Sequence, residues 1–191
     1  LTWALGAPLP RVMLPSPLRI EPIPGYSPGI GRLICMLMYA RSTTLAAVEG
    51  MTVEELDHLH DSESNSIGAL HAHIAAEERS YQVMTFEDRA LSADENSRWF
   101  AALKLGPDAR RVLRDHPLDH YVDELKAVRQ VTLEGFATRD DEWLERSVTP
   151  APKINVHWAW FHAAEDEINH RGQIRWLRKR LRGRAPTHEG T

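Results

Sequence analysis

Three side chains near the C-terminal end of this 191-residue sequence are of types that bind metal ions, and they recur at a fixed interval. His162, Asp166 and His170 are spaced four residues apart, within a segment whose apolar residues follow a helical period. Because each helical residue turns the chain by about 100°, residues four apart lie on one face, about 40° from each other. Asp166 and His170 can therefore contact one metal ion together, although a further ligand must come from another helix.

The same spacing also fits a solvated helix face on which Asp166 and His170 share a hydrogen bond, so spacing alone leaves two interpretations open. Burial would decide between them, because buried imidazole and carboxylate groups are costly unless they are paired or metal-bound. The neighbouring large apolar residues predict that this helix is largely buried, which favours the metal site. These neighbours are Trp158, Trp160, Phe161, Ile168 and Trp176.

Two segments resemble motifs of the DinB/YfiT-like family. Glu167-Ile-Asn-His-Arg-Gly-Gln-Ile174 resembles its last-helix signature, in which a histidine heads a His-Arg-Gly-Gln-Ile run. Ser66-Ile-Gly-Ala-Leu-His-Ala-His73-Ile-Ala-Ala-Glu-Glu78 resembles its second-helix motif, with His73 at the ligand position. The resemblance extends from about Gly29 to Leu181. It implies an all-α fold, a four-helix bundle of the up-down-down-up type, with metal held by one histidine of the second helix and two ligands of the last.

Applied to this sequence, the resemblance implies a metal site made by His73, Asp166 and His170. Asp166 stands where the family more usually has a second histidine, which keeps three donors but changes the charge. Two imidazoles and one carboxylate suit a divalent ion such as Zn, Ni, Fe, Mn or Co, and three protein ligands leave positions open for water or substrate. Glu78, five residues after His73, is the candidate for supporting a ligand or acting as a catalytic general base.

Two further histidines have open assignments. His71 and His73 differ by about 200° in direction around their helix, so at most one of them faces a given neighbour, and spacing does not choose between them. Only the resemblance selects His73, which places His71 near the surface. His162 fits either a hydrogen-bonding neighbour of a ligand or a fourth ligand.

Members of the family are described as metal-dependent hydrolase-like proteins and as S-transferases that use a low-molecular-weight thiol. The resemblance therefore implies a metal-dependent enzyme that activates water or such a thiol for a small-molecule substrate. A non-catalytic metal-binding bundle, acting as a dimeric scaffold or in a stress response, is the alternative. The same ligand types also hold non-haem iron in oxygenases, but no redox-cofactor motif accompanies them here. The resemblance also implies a homodimer.

Composition and proline content suggest three regions. Residues 1–28 contain many of the chain's 12 prolines and predict an extended N-terminal arm. Two roles are open for Trp3, Leu14 and Ile20, which either anchor this arm or join a partner subunit. Residues 29–184 form the predicted helical bundle, and residues 185–191 form a C-terminal tail.

A net charge of −4 gives no reason to expect nucleic acid, and no apolar run is long enough to span a membrane. A single cysteine fits a cytoplasmic protein.

Local signals predict where several helices begin. Thr52 to Glu55 has the pattern of a capping box, and Asn65 or Ser66 can cap a helix that runs to about Met84. Pro117 precedes a third long helix, and Asn155 opens the last one. Residues 140–152 are expected to form a helical turn followed by an irregular connector that Pro150 and Pro152 end.

Overall fold

The computed structural model describes residues 19–182, and this part of the chain is mostly helical, which confirms the all-α class. None of the helices in that range combines the length and the apolarity needed to cross a membrane. The predicted tail and most of the predicted arm, with Trp3 and Leu14, lie outside the described residues. The domain boundaries remain predictions.

In chain order the elements are α1 (Pro28–Ala46), α2 (Val53–Asp57), α3 (Ile67–Phe86), α4 (Ala93–Lys104), α5 (Gly106–Val112), α6 (Leu118–Ala137), α7 (Asp141–Leu144), β1 (Ser147–Val148), β2 (Ala151–Asn155) and α8 (Val156–Arg182).

Several helices begin at the predicted capping residues. The Thr52 side chain accepts a bond from the backbone N–H of Glu55, and the Glu55 carboxylate accepts one from the N–H of Thr52, so the capping box is confirmed. The Ser66 side chain accepts a backbone N–H bond at the start of α3. Asn155 does the same at the start of α8, at 2.8 Å. These bonds satisfy helix N–H groups that have no partner within the helix.

A short antiparallel hairpin, which the sequence did not predict, leads into α8. β1 pairs with β2 through a ladder that contains an irregularity. Pro150 and Pro152 indicated an irregular connector, but proline is tolerated at the edge of a sheet, where one side of the strand needs no partner. The backbone N–H of Val156 then donates to the carbonyl of Arg146 at 2.9 Å, which joins the hairpin directly to the last helix.

Glycine allows α3 and α6 to approach closely. A Cβ at Gly68 would lie 2.6 Å from the Tyr121 hydroxyl near the start of α6, and a Cβ at Gly135 near the end of α6 would overlap the ring of Phe86. Because the beginnings of the two helices meet and their ends meet, α3 and α6 run in the same direction.

Contacts with α8 give the directions of the other two long helices. Arg41 of α1 bonds to Glu167 of α8. Further along α8, Arg178 donates to the carbonyl of Ala47, the residue just after α1, so α1 and α8 run in the same direction. The ring of His73 in α3 lies 4.6 Å from that of His170, whereas the ring of Tyr81, later in α3, lies 6.2 Å from that of His162, earlier in α8. Helices α3 and α8 are therefore antiparallel.

Two apolar clusters fill the space between the long helices. One surrounds Trp160 and Phe136, whose rings lie 4.7 Å apart, and it includes residues of α1, α7 and the hairpin. The other contains Leu70 and Leu125, and it includes residues of α2 and α4. The Trp160 indole N–H donates to the hydroxyl of Thr85 at 3.1 Å, so this large buried ring leaves no unpaired donor.

Helix α8 is less buried than its composition predicted. Trp160 is fully buried, but four of its apolar neighbours are 39–48% exposed. The prediction was wrong for Trp158, Phe161, Ile168 and Trp176. Apolar atoms also make up much of every protein surface, so apolar composition indicates burial only when it falls on the inward face.

Candidate metal centre

The three predicted ligands come together between α3 and α8. Nε2 of His73 is 3.6 Å from Oδ2 of Asp166, and Nε2 of His170 is 3.2 Å from Oδ1 of Asp166. One ligand atom from each residue lies within 4.8 Å of the other two. The ligand atoms of a tetrahedral site with metal–ligand distances near 2.1 Å are about 3.4 Å apart, so the spacing of this cluster fits one divalent ion.

A backbone carbonyl fixes the orientation of His73. Its Nδ1 lies 2.8 Å from the carbonyl oxygen of Ala102 at the end of α4. Because a carbonyl only accepts hydrogen bonds, Nδ1 must carry a proton, and in the neutral ring the lone pair of Nε2 then faces Asp166. Metal-binding histidines commonly donate their second N–H to a carbonyl or a carboxylate in this way. The donor arrangement around His73 therefore fits a metal ligand.

His170 is held differently from His73. The two rings are nearly perpendicular, at 76°, with their centroids 4.6 Å apart. Nε2 of His170 faces Asp166, while its Nδ1 is buried and has no hydrogen-bond partner among residues 19–182. An ionised carboxylate only accepts hydrogen bonds, so in the neutral ring the proton lies on Nε2, facing Asp166, and Nε2 would have to lose that proton to bind a metal ion.

The charges of the cluster are coupled. Burial works to raise the pKa of Asp166, but hydrogen bonds from His170 and His73 hold it well below its usual range. Burial works to lower the pKa of His73, but the hydrogen bonds with Asp166 and the Ala102 carbonyl, together with the negative charges of Asp166 and Glu77, outweigh it, so the pKa of His73 is raised. Asp166 is therefore ionised at neutral pH, as a metal ligand must be, and protons compete with a metal ion for His73.

Two residues that the sequence-based prediction did not assign lie beside the cluster. Glu77 and Tyr81 follow His73 at four-residue intervals, so the three form a stripe on α3. It faces the stripe on α8 that is made by His162, Asp166 and His170. Burial raises the pKa of Glu77, with a smaller opposing effect of His73 and a further increase caused by Asp166. Burial, Glu77 and Asp166 together raise the pKa of Tyr81. The four-residue spacing that identified the stripe on α8 would have identified both residues.

Glu78 belongs to a second polar group, behind the cluster. Its carboxylate accepts bonds from Arg129 at 2.6 Å, Arg41 at 2.8 Å and the Thr132 hydroxyl at 2.6 Å. Arg41 also donates to Glu167 at 2.8 Å. We call Arg41, Glu78, Arg129 and Glu167 the buried tetrad. It joins the four long helices, since each residue comes from a different one.

Charge pairing in the buried tetrad keeps Glu78 ionised. Burial works to raise the pKa of Glu78, but Arg129 and Arg41 lower it to about 2. The catalytic role of Glu78 remains a prediction, and acting as a base would require its carboxylate to give up one of these bonds.

Neither His71 nor His162, the two histidines whose roles the sequence left open, belongs to the cluster of three ligands. His71 was predicted near the surface, and this was wrong because its side chain is fully buried, with Nδ1 2.8 Å from the carbonyl oxygen of Ile67. Its ring faces Tyr121, at 6.3 Å, and burial lowers its pKa. Nδ1 of His162 lies 3.0 Å from a carboxylate oxygen of Glu165, one turn from the cluster.

Comparison with known protein families identifies the family of this chain. A family model described as mycothiol-S-transferase matches residues 32–183, which is most of the chain and includes all three clustered residues. No curated protein shows significant similarity to the chain.

Proposed function

Because this chain belongs to the mycothiol-S-transferase family, a DinB/YfiT-like family, we propose that it is a metal-dependent thiol S-transferase. The thiol would be a low-molecular-weight compound such as mycothiol, which the family name specifies, and the second substrate a small electrophile. The observation that carries the proposal is the convergence of His73, Asp166 and His170. We propose that these residues hold a Zn, Ni, Fe, Mn or Co ion. The helix directions support an up-down-down-up bundle as the scaffold.

The ligand charges suit a thiol. A divalent ion, when bound, lowers the pKa of a coordinated thiol or water and so supplies the nucleophile at neutral pH. Asp166 contributes one negative charge, so the three ligands and a divalent ion together would carry a single positive charge. A thiolate neutralises that charge, and this favours the deprotonated form of the substrate. His73 and His170 are neutral donors that complete the set.

Glu77 is the residue we propose as the proton acceptor. Its carboxylate interacts with His73 and Asp166, and burial raises its pKa, which makes the carboxylate a stronger base. In the proposed reaction the thiol proton passes to Glu77, the sulfur forms a bond to the electrophilic carbon, and the bond to the leaving group breaks. Tyr81 lies next along the stripe of α3 and keeps its hydroxyl protonated, so it is placed to donate a hydrogen bond to the electrophile.

Metal analysis of the untagged protein tests the site. We expect one equivalent of metal in the wild-type protein and its loss in His73→Ala and in His170→Ala. His157→Ala is the matched control, because His157 is an exposed histidine in the first turn of the same helix. Full metal content in both ligand variants would show that the assignment is wrong.

Activity of the metal-loaded protein separates the reaction classes. Thiol-dependent consumption of an alkyl or aryl electrophile, lost in Glu77→Gln with metal content retained, would support the S-transferase. Hydrolysis of simple esters or amides without a thiol would favour the hydrolase instead. Metal binding that survives Asp166→Asn, with no turnover of either substrate class, would favour the non-catalytic scaffold.

We propose that the protein is a homodimer that pairs through α8. Trp158, Phe161 and Ile168 are each 39% or more exposed, and their spacing of three and seven residues places them on one strip of the helix. A strip of this kind is typical of a helix that packs against another helix. Light scattering at micromolar concentration should give twice the chain mass, and Phe161→Glu should reduce it to one chain. A wild-type monomer would contradict the proposal.

A further inference from the structure

Helix α4 ends in a way that leaves one of its carbonyl groups available to the candidate metal centre. In a continuous α-helix, the carbonyl of Ala102 would accept a bond from the backbone N–H of Gly106, four residues later. Here the N–H of Gly106 donates instead to the side-chain oxygen Oδ1 of Asn65, at 2.8 Å. The carbonyl of Ala102 accepts from Nδ1 of His73, also at 2.8 Å. These two bonds therefore take the place of one helix bond.

Leu105 turns the chain at the end of α4. Its own N–H still donates to the carbonyl of Ala101 at 3.0 Å, as in a helix. Its backbone angles, φ 54° and ψ −157°, then direct the N–H of Gly106 away from the helix. Residues other than glycine rarely adopt a positive φ, because the Cβ atom meets the backbone there. Such a conformation persists only where the surrounding structure imposes it, so contacts outside α4 must hold this turn.

The loop before α3 supplies contacts that hold the turn. Arg110 of α5 donates to the carbonyl of Glu63 in that loop at 3.2 Å, which fixes the two segments against each other. The side chain of Leu105 packs against the apolar cluster that includes residues of α2 and α4. Of these contacts, the bond to Asn65 is the one that occupies the N–H which Ala102 would otherwise accept. Asn65 therefore controls whether the Ala102 carbonyl is free.

The tautomer of His73 depends on that carbonyl. Because a carbonyl cannot donate, its bond keeps a proton on Nδ1 and, in the neutral ring, leaves the lone pair on Nε2. Nε2 is the atom that faces Asp166, so the lone pair points to the proposed metal position. In the other tautomer, Nε2 would carry the proton and donate it to Asp166. It would then have to lose that proton before it could bind a metal ion.

We propose that Asn65 is a positioning residue of the metal centre. By accepting the N–H of Gly106, it keeps the Ala102 carbonyl free, and that carbonyl holds His73 in the tautomer that binds metal. Asn65 thus acts through the backbone of α4 and makes no bond to the ion. The proposal rests on the proposed function, since it concerns the same metal centre.

The tautomer of His73 in the metal-free protein provides the first test. Nitrogen NMR spectroscopy of the neutral ring distinguishes a protonated from an unprotonated ring nitrogen. We expect the proton on Nδ1 in the wild-type protein. In Asn65→Ala we expect a shift towards the Nε2 form, because α4 can extend by one residue and Gly106 can then bond to Ala102. Asn65→Asp should restore the wild-type tautomer, because a carboxylate oxygen accepts the same bond.

Ser66→Ala is the matched control for the stability of the loop. The Ser66 hydroxyl accepts a bond from the N–H of Ala69 at 3.1 Å, so its removal also deletes one side-chain cap beside α3. This variant leaves the bond between Asn65 and Gly106 in place. We expect Ser66→Ala to lower the urea midpoint and to leave the tautomer unchanged. The same change of tautomer in both alanine variants would overturn the specific role of Asn65.

Affinity for Zn²⁺, measured by competition with a chelator, provides the second test. Removing a group that orients a metal-binding histidine typically weakens metal binding by about 10–100-fold. Because Asn65 acts one step further from the ion, we expect Asn65→Ala to weaken Zn²⁺ binding about tenfold, at the lower end of that range. Asn65→Asp and Ser66→Ala should bind Zn²⁺ as the wild-type protein does.

The results distinguish this proposal from the proposed function. If the wild-type protein binds metal, three results would overturn the positioning role and leave the metal centre standing. These are a wild-type proton on Nε2, an unchanged tautomer in Asn65→Ala, and a changed tautomer without loss of affinity. The first needs no variant, so it decides the matter even if Asn65→Ala does not fold. A wild-type protein that binds none of the proposed ions would overturn the metal centre, and with it a role of Asn65 in metal binding.

Discussion

Glu78→Gln tests whether the buried tetrad stabilises the fold through charge. Glutamine has nearly the same shape as glutamate, so the variant removes a charge while it keeps the packing. Arg41 and Arg129 would then share one carboxylate, that of Glu167, at a place where all four side chains are at most 7% exposed. Leaving part of a buried ion pair uncompensated costs about 3–5 kcal/mol.

The pKa of Glu78 gives an independent magnitude. Arg129 and Arg41 hold it at about 2 against an ordinary value of 4.5, and this difference corresponds to about 3 kcal/mol of stability. Because the folded pKa is the lower one, the stabilisation is present in full above about pH 4.5 and is lost as the pH falls towards 2. For a protein of this size, about 3 kcal/mol corresponds to a decrease in Tm of about 6–12 °C.

Urea unfolding followed by far-UV circular dichroism measures both effects. At pH 7 the variant should have a free energy of unfolding about 3 kcal/mol below that of the wild-type protein, and the difference should shrink at pH 3, where Glu78 of the unfolded wild-type chain is protonated. Glu145→Gln is the matched control, because Glu145 is exposed and should give no change. A difference below about 1 kcal/mol at pH 7, or one that does not shrink in acid, would refute the reasoning.

Two other substitutions test how the scaffold is held. The Asp141 carboxylate accepts bonds from the backbone N–H groups of Gly29 at 2.9 Å and Ile30 at 3.1 Å, so Asp141→Ala should reduce the free energy of unfolding by about 1–2 kcal/mol, and an unchanged urea midpoint would contradict this capping role. Gly135→Ala should destabilise by about 1–3 kcal/mol, because the new methyl group overlaps the Phe86 ring. Gly172→Ala is its control, since nothing lies within 4 Å of a Cβ there, and it should stabilise slightly.

Local signals in the sequence predicted more of the fold than long-range ones. The capping box at Thr52 and the caps at Ser66 and Asn155 were identified because each depends on a hydrogen bond between residues close in the chain. The hairpin was missed because strands of two and five residues are too short to show alternation. The burial of His71 was missed because a helix period gives the relative directions of side chains but not which direction faces the core.

The candidate site shows the same division. The four-residue spacing predicted that His162, Asp166 and His170 share one face of α8. The pairing of that face with His73 was implied only by the family resemblance. Glu77 lies four residues after His73, so the same spacing indicates it, but the sequence-based prediction named Glu78 instead. The two neighbours point about 100° apart, and only the positions of Arg41 and Arg129 show which of them faces the buried tetrad.

The division of the ligands between two distant parts of the chain has a consequence for folding. Asp166 and His170 meet whenever α8 forms, because they lie one turn apart, whereas His73 joins them only after α3 has docked. A divalent ion would therefore bind the unfolded chain weakly and the native protein tightly, so mass action would stabilise the native state by about 2.7 kcal/mol at a concentration one hundred times the Kd. Docking of α3 on α8 would thus be the step of folding that depends on metal concentration. A chelator would speed unfolding only if α3 separates from α8 before the transition state of unfolding is reached.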